Sequence, residues 1–388
     1  MQQSVRHKAP ARRSGKSRRK RRSGGAVYTF YSRLVAGCAL GAVLLLWASA
    51  ASVHVVPDGL GLLACLGLMF PVFLAGVVAA LVFTLLFCRR HVWIPIVGLA
   101  GCCLTIRQYV PFNLPSPAPK QSYKVMSFNV MGYNPKQTDP DGRTSILRYL
   151  SRSGSDIVCA QEAMLSVKLW REVHRPPFTR ALPYMDTVMI ERNALAVFSR
   201  FPIVGKRLLC SSPTNGAAVF RVLLAKGDTL NVINCHLESN HLSMAERSAY
   251  REMVHQPSRR ELKEGEQERF SLIRKFSRSA VERARQADSV AAYVERHPDR
   301  SFIVCGDFND TPVSYSRHRV AEVLDDAYEQ TGNGVGRSFN RDAIYVRIDH
   351  LFVSPEWRVF GCQVDRSSGS LSDHYPIVCH IKRRSAQQ

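Results

Sequence analysis

Three short blocks near the C-terminus carry the residue types that metal-assisted hydrolysis needs. They are Gly306-Asp307-Phe308-Asn309-Asp310, Arg347-Ile348-Asp349-His350 and Ser372-Asp373-His374-Tyr375-Pro376. Each borders a short apolar run: Phe302-Ile303-Val304, Ile344-Tyr345-Val346 and Tyr375-Pro376-Ile377-Val378. Acids, amides and histidines delivered by strand ends are how a rigid sheet assembles such a site. Upstream the pattern recurs. Lys124–Val130 reads as a strand presenting Asn129, Asp156–Gln161 as a buried strand running into Glu162, and Leu230–Leu237 as an alternating strand presenting His236. The candidate ligands all bear oxygen: Glu162, Asp307, Asp349, Asp373 and the amides of Asn129 and Asn309. Hard oxygen donors favour Mg2+, or Mn2+, over zinc. Such a cation beside carboxylates and histidines suits phosphoester cleavage.

The elements that must position these residues follow from hydropathy. Strands are predicted at Lys124–Val130, Ile157–Gln161, Leu195–Ser199, Ala217–Leu224, Leu230–His236, Phe302–Gly306, Ile344–Phe352 and Tyr375–Ile381. Helices are predicted over Thr144–Ser151, with Ile146, Leu147 and Leu150 on one face, and over Ser279–Arg296. The mixture is compatible with an α/β two-sheet sandwich covered by helices. Residues 239–278 are dense in both signs of charge and read as a solvated helical excursion, or as a recognition insert leaving the His236 loop.

Taken in order, seven blocks resemble the endonuclease/exonuclease/phosphatase superfamily, whose members share the DNase I-like fold. They are Ser127–Val130, Gln161-Glu162, Asn193–Ile203, Asn234–Ser239, Gly306–Asp310, Arg347–Ser354 and Ser372–Ile377, and the resemblance covers roughly residues 121–384. It implies a DNase I-like two-sheet sandwich flanked by helices and an Mg2+-dependent phosphoesterase. Glu162, Asn129 and Asp373 would be the metal ligands. Asp307 and Asn309 would orient and deprotonate the attacking water. His236 and His374 would contact the scissile phosphate, with Asp349 fixing the tautomer of His374. Whether His374 acts as base or charge stabiliser stays open at this point. Blander roles compete: Asn129 as a turn cap, His236 as a structural histidine, Asn193 and Ser199-Arg200 as architecture. His350 should point to the face opposite Asp349, because neighbouring strand residues alternate, and Asp310 should close the turn after Asn309.

The superfamily hosts nucleases, lipid and inositol phosphatases and phosphodiesterases, so the substrate class, nucleic acid included, stays open. Ala163–Val167, after Glu162, lacks the basic and aromatic residues expected of an abasic-site endonuclease. A non-catalytic membrane-anchored binding protein that keeps the fold is the alternative.

The N-terminal third is different in kind. Formal net charge is +22, and residues 1–33 alone hold eleven Lys/Arg and no acid. That tail reads as a disordered cytoplasmic charge anchor, or as a nucleic-acid arm. Residues 34–110 read as a membrane anchor of about three transmembrane helices: Leu34–Val56, Leu60–Cys88 and the shorter Val92–Ile106. Basic residues at the tail and at Arg89-Arg90, and none around Asp58, place the N-terminus inside a bacterial plasma membrane. With three crossings the catalytic domain is extracytoplasmic; a re-entrant third run would leave it cytoplasmic. Residues 111–120, with Pro111, Pro115, Pro117 and Pro119, read as a stiff spacer lifting the domain from the bilayer. The six cysteines of the catalytic part show no zinc-type spacing and read as small buried hydrophobes.

Overall fold

Alternation along single strands decides the architecture. In β1 (Tyr123–Asn129), Val125 packs into one apolar cluster while Met126 and Phe128 pack into another on the opposite face. β8 (Ser301–Asp307) behaves likewise, with Ile303 and Cys305 turned one way and Phe302 and Val304 the other. Strands buried on both faces need a layer on each side. The result is a four-layer sandwich, seen in a computed structural model that describes residues 17–58, 61–224, 227–240, 265–341 and 346–384.

The chain falls into two compact units. One takes the chain up to Trp47 with Pro71–Gly101; the other takes Ala48–Phe70 with Cys102 onward. In the second unit, β2 (Ile157–Gln161), β3 (Tyr184–Ile190) and β4 (Asn193–Ser199) join β1, β11 (Trp357–Val364) and β12 (Ile377–Arg383) in one sheet of order β11-β12-β1-β2-β4-β3. The other sheet takes β5 (Ile203–Ser211), β6 (Gly216–Leu223), β7 (Thr229–His236), β8, β9 (Asp325–Asp326) and β10 (Asp349–Val353), in the order β5-β6-β7-β8-β10-β9. Among the described residues only β1–β2 and β7–β8 pair in parallel. Their C-terminal ends therefore point the same way within each sheet, and Asn129, Glu162, His236, Asp307 and Asn309 sit at or just beyond them, with Asp349 at the start of the antiparallel β10. Register completes the alignment, since His236 pairs with Asp307, and Asp307 with Asp349.

The central cluster between the sheets includes Val125, Ile157, Val197, Phe220, Val232, Ile303, Leu351 and Ile377. Across it runs a polar clamp: Gln161 donates to Asn234 Oδ1 at 2.6 Å, and Asn234 donates to the carbonyls of Ala160 and Ala196, both at 3.0 Å. All eleven cysteines are free thiols, and five of the six in the catalytic part are buried.

Two further segments belong to this unit. The 3-10 turn Ser52–His54 and helix α2 (Gly61–Leu68) lie in it, as does α5 (Cys103–Tyr109). The predicted spacer begins docked on the domain: Asn113 donates to the carbonyls of Glu329 and Gly332 (3.0 and 2.7 Å), and Gly334 donates to Pro111 O (2.9 Å).

α1 (Ser17–Ala51), continued by the turn Ser52–His54, and α3 (Phe70–Phe87) supply the two stretches long and apolar enough to cross a membrane, Gly25–His54 and Phe70–Phe87, most of which lies in the first unit. Arg89–Gly101, which includes α4 (Trp93–Gly101), forms with α5 a pair bent by 60° that would make a third. Gly98 lets α4 approach α1 closely: a Cβ there would meet Val43 Cγ2 at 2.4 Å, the small-residue contact of membrane helices. The second apolar run is divided, for the spanning helix starts at Phe70, with Pro71 in its first turn where its missing N–H costs nothing. The basic tail is helical from Ser17, because an established helix propagates at little cost into its neighbours; residues 1–16 lie outside those described. So do residues 241–264 of the charged excursion, whose later part joins α9 (Gly265–Glu295).

Candidate active site

The strand ends converge on one cluster of polar side chains, most of them buried. Asn129, the last residue of β1, is buried and donates from Nδ2 to Glu162 Oε1 and Asp307 Oδ2, each at 3.1 Å. One amide thus ties the two sheets together through the two carboxylates. Glu162 follows β2 with φ +53° and Asn309 follows β8 with φ +50°. Both are non-glycine residues in the left-handed region, a conformation that tends to cluster at functional sites.

His236 closes β7 with Nε2 3.7 Å from Asp307 Oδ2 and 3.8 Å from Glu162 Oε1. Its Nδ1 is 3.3 Å from the Asn193 amide, which is itself held by Thr214 O at 3.1 Å. An amide N–H donating to Nδ1 leaves the proton on Nε2, facing the carboxylates. Burial lowers the basicity of this imidazole, with Asp307 pulling the other way.

Asp307 is buried; its Oδ1 accepts from the Asn309 backbone at 2.8 Å, and its Oδ2 lies 3.5 Å from His374 Nε2. Burial raises its pKa, His374 opposes that, and Asp349 adds to it. Asn309 turns its own amide to Leu237 O at 2.9 Å, fixing the turn after β8 to the loop after β7. Asp349 Oδ2 meets His374 Nδ1 at 2.8 Å. Burial alone would lower the His374 pKa, but Asp349 and Asp307 outweigh it and raise it to about 10. The imidazole is therefore cationic at neutral pH.

The model of the Endonuclease/Exonuclease/phosphatase family matches residues 126–374, well over half of the chain. This chain belongs to the endonuclease/exonuclease/phosphatase family. Family members hydrolyse phosphoesters and generally use divalent metals. The fold is the family's DNase I-like sandwich. A second model, of a domain of unknown function, matches residues 32–109. No curated protein matches the chain. Among solved structures, an endonuclease/exonuclease/phosphatase from Beutenbergia cavernae is similar at 15% identity and TM-score 0.48, over 68% of this chain and 72% of that one. The catalytic domain of human Nocturnin is similar at 17% and 0.46, over 69% and 97%. A mannosyl-6-phosphatase of Bacteroides thetaiotaomicron is similar at 20% and 0.43, over 67% and 100%.

The site suits the family's divalent cation by its donor chemistry. Asp307, Asp349 and His374 bring ligand-type atoms within 4.8 Å of one another, all on buried residues, and of these the two carboxylates are the donors open to a cation while His374 is protonated. Asp349 Oδ1 is buried without a hydrogen-bond partner, and the Glu162 carboxylate is about 39% exposed, open to an arriving ion. Asp373 is outside that group of three: its Oδ2 lies 4.0 Å from Arg341 Nε, its Oδ1 accepts from Ser372 Oγ at 3.4 Å, and its carbonyl accepts from Asn340 N at 2.9 Å.

His350 points away, as alternation requires: it lies 3.0 Å from Asp310 O and against Phe308. Asp310 does more than close a turn, since its Oδ2 accepts from Arg283 Nε at 3.1 Å and Ser316 Oγ at 2.8 Å. Arg283 is buried and also donates to Glu238 O and Asn240 Oδ1, both at 3.0 Å. It braces the loops after His236 and Asn309 together. Nothing in the surrounding sequence marks it, because one arginine in a charged helix resembles any other. Ser338, which accepts from the backbones of Ile348 (3.0 Å) and Asp349 (3.1 Å), was equally silent.

Proposed function

We propose that the protein is a membrane-anchored, Mg2+-dependent phosphoesterase that hydrolyses its substrate by in-line attack of water. The observation that carries this reading is the meeting of Asn129, Glu162, His236, Asp307, Asn309, Asp349 and His374 at one end of both sheets. Glu162 with Asn129 would hold the cation, and Asp373, fixed beside His374, is the third expected ligand. When bound, the ion would neutralise phosphoryl charge and the leaving oxygen.

Asp307 is the base. Its raised pKa and its placement between two histidines suit removal of a proton from water as the new P–O bond forms. Asn309 holds that carboxylate through its backbone N–H. His374, cationic beside Asp349, suits charge stabilisation on the phosphoryl oxygens rather than proton abstraction. His236 donates from Nε2 to a second oxygen.

The same reading includes the topology. The segment joining the first two apolar stretches belongs to the catalytic unit, so the two lie on one side of the bilayer. Between them the chain crosses an even number of times, which counts Phe70–Phe87 and the bent pair Arg89–Tyr109 as two spans. Arginines flank the other side, so the catalytic unit is extracytoplasmic in a bacterial plasma membrane.

The test is metal-dependent hydrolysis by the full chain in nanodiscs, on DNA, RNA, phospholipid and soluble phosphoesters, with Asp307→Asn in parallel. Mg2+-stimulated turnover that falls by about 10²–10⁴-fold in the variant is expected. Silence of a folded, metal-loaded protein across the panel leaves the non-catalytic binding role.

A further inference from the structure

Resting on the phosphoesterase reading, we infer that the site acts on phosphoesters carried by bilayer lipids. The argument is where the membrane-bound ends of the chain attach. Site residues leave the C-terminal ends of β1, β2, β7 and β8, and the N-terminal end of the antiparallel β10. That is one end of the sandwich.

The turn following β8 runs from Asp310 to Val313, directly after Asn309. Against it lies α2, so near that a Cβ on Gly67 would sit 2.2 Å from Val313 O. α2 ends at Leu68, with Met69 alone between it and Phe70, where an apolar helix of spanning length begins. Asp58 adds an ion pair to Arg285 of α9 at 3.4 Å. On the other side of the site, Arg347 stands two residues before Asp349. Its buried guanidinium donates to Gln108 O at 2.6 Å, the penultimate residue of α5, and stacks on Tyr328 at 4.1 Å. Phe70 and Tyr109, at the two junctions, touch with ring centroids 5.7 Å apart. Both junctions are therefore joined to the catalytic end, through the segments that deliver Asn309 and Asp349.

The junctions also carry uncovered apolar side chains. Phe112 is 81% exposed and Leu114 83%, although Asn113 between them is hydrogen-bonded to the domain. Two large hydrophobes held outward just after a spanning segment belong in the headgroup layer, where their burial stabilises by about 1.5–3 kcal/mol each. Both junctions are packed on the turns that deliver Asn309 and Asp349, so the phosphates of that headgroup layer are the phosphoesters that the anchored chain keeps at high local concentration.

The experiment compares the full chain in nanodiscs on three probes at equal phosphoester concentration. These are a bilayer of phosphatidylethanolamine, phosphatidylglycerol and phosphatidylinositol, the corresponding soluble glycerophosphodiesters, and bis(p-nitrophenyl) phosphate. Lipid should be the preferred substrate by about tenfold or more, and Phe112→Ser with Leu114→Ser should remove that preference. The same variant should hydrolyse bis(p-nitrophenyl) phosphate unchanged, since neither residue touches the site. Separately, the extra emission of Phe112→Trp over wild type should be quenched by brominated lipid. Equal turnover of soluble and bilayer substrates, or extra emission that brominated lipid leaves unquenched, overturns the lipid assignment and leaves the phosphoesterase. Failure on all three probes with turnover of DNA, RNA or a phosphomonoester overturns the lipid assignment alone; failure on those as well overturns both.

Discussion

Asp307 serves four neighbours at once: it accepts from Asn129 and from Asn309, and it faces His236 and His374 across less than 4 Å. A residue so engaged cannot be altered without disturbing the rest, so its partners are better probes of mechanism. Asp349→Asn removes the carboxylate that keeps His374 charged. The imidazolium, which wild type loses only near pH 10, should then be lost closer to neutrality. The alkaline limb of the pH–rate profile moves to lower pH and kcat falls by about 10²–10⁴-fold with KM little changed. An unmoved alkaline limb would refute the assignment of His374 as the cationic stabiliser. His350 titrates in the opposite sense. Burial, reinforced by Arg347, pushes its pKa down to about 4, below the unfolded value near 6.5. Between those values the unfolded chain binds the proton and the folded one does not. Stability should therefore fall as pH drops from about 6.5 to 4, by up to ~3 kcal/mol. Thermal melting against pH reads this out, and His350→Gln should flatten that part of the curve.

At the scale of elements, Gly306 links β7 to β8. Its φ is +149°, and a Cβ would lie 1.8 Å from Cys235 O. Gly306→Ala must push the parallel pair apart and displace Asp307. It should cost about 3 kcal/mol or more and abolish activity, whereas Gly361→Ala, with open space around it, should spare turnover. A normal melting temperature for Gly306→Ala would refute the close approach. Strand pairing also explains what was legible in the sequence. All eight predicted strands are present, with Ile344–Phe352 shortened to Asp349–Val353 among the described residues. The four unpredicted strands, β3, β5, β9 and β11, are the four sheet edges. Edge strands are half solvated, as the exposed or half-buried run of Tyr184–Met189 and most of Ile203–Ser211 shows, and carry no continuous apolar signal. The site was legible because strand ends write acids and amides into short blocks. Its braces, Arg283 and Ser338, come from elements distant in sequence, and no local pattern reveals a partner that folding supplies.

At the scale of the whole molecule, the boundary near Lys120 that composition suggested is a poor place to cut. Residues 48–70 and 102–119 contribute to the catalytic unit, and Arg347 loses its Gln108 acceptor without them. A fragment of residues 120–388 should melt below the full chain by several degrees, at about 2–4 °C per kcal/mol for a domain of this size. Leaving a buried guanidinium short of a partner costs on the order of 1–3 kcal/mol by itself. Equal melting temperatures for fragment and full chain would show that the anchor segments merely rest on the domain.

Discontinuity of the catalytic unit bears on how the protein is made. The segment carrying α2 leaves the ribosome long before β1 exists, and at about 5–20 residues per second it waits on the order of half a minute for its partners. On the proposed topology, only a nascent chain that has threaded both later helices brings the two pieces to the same compartment. Maturation would then double as a proofreading step for insertion: a misthreaded copy would lack the surface that α9 and Arg347 require, and would stay unfinished for quality-control proteases to remove.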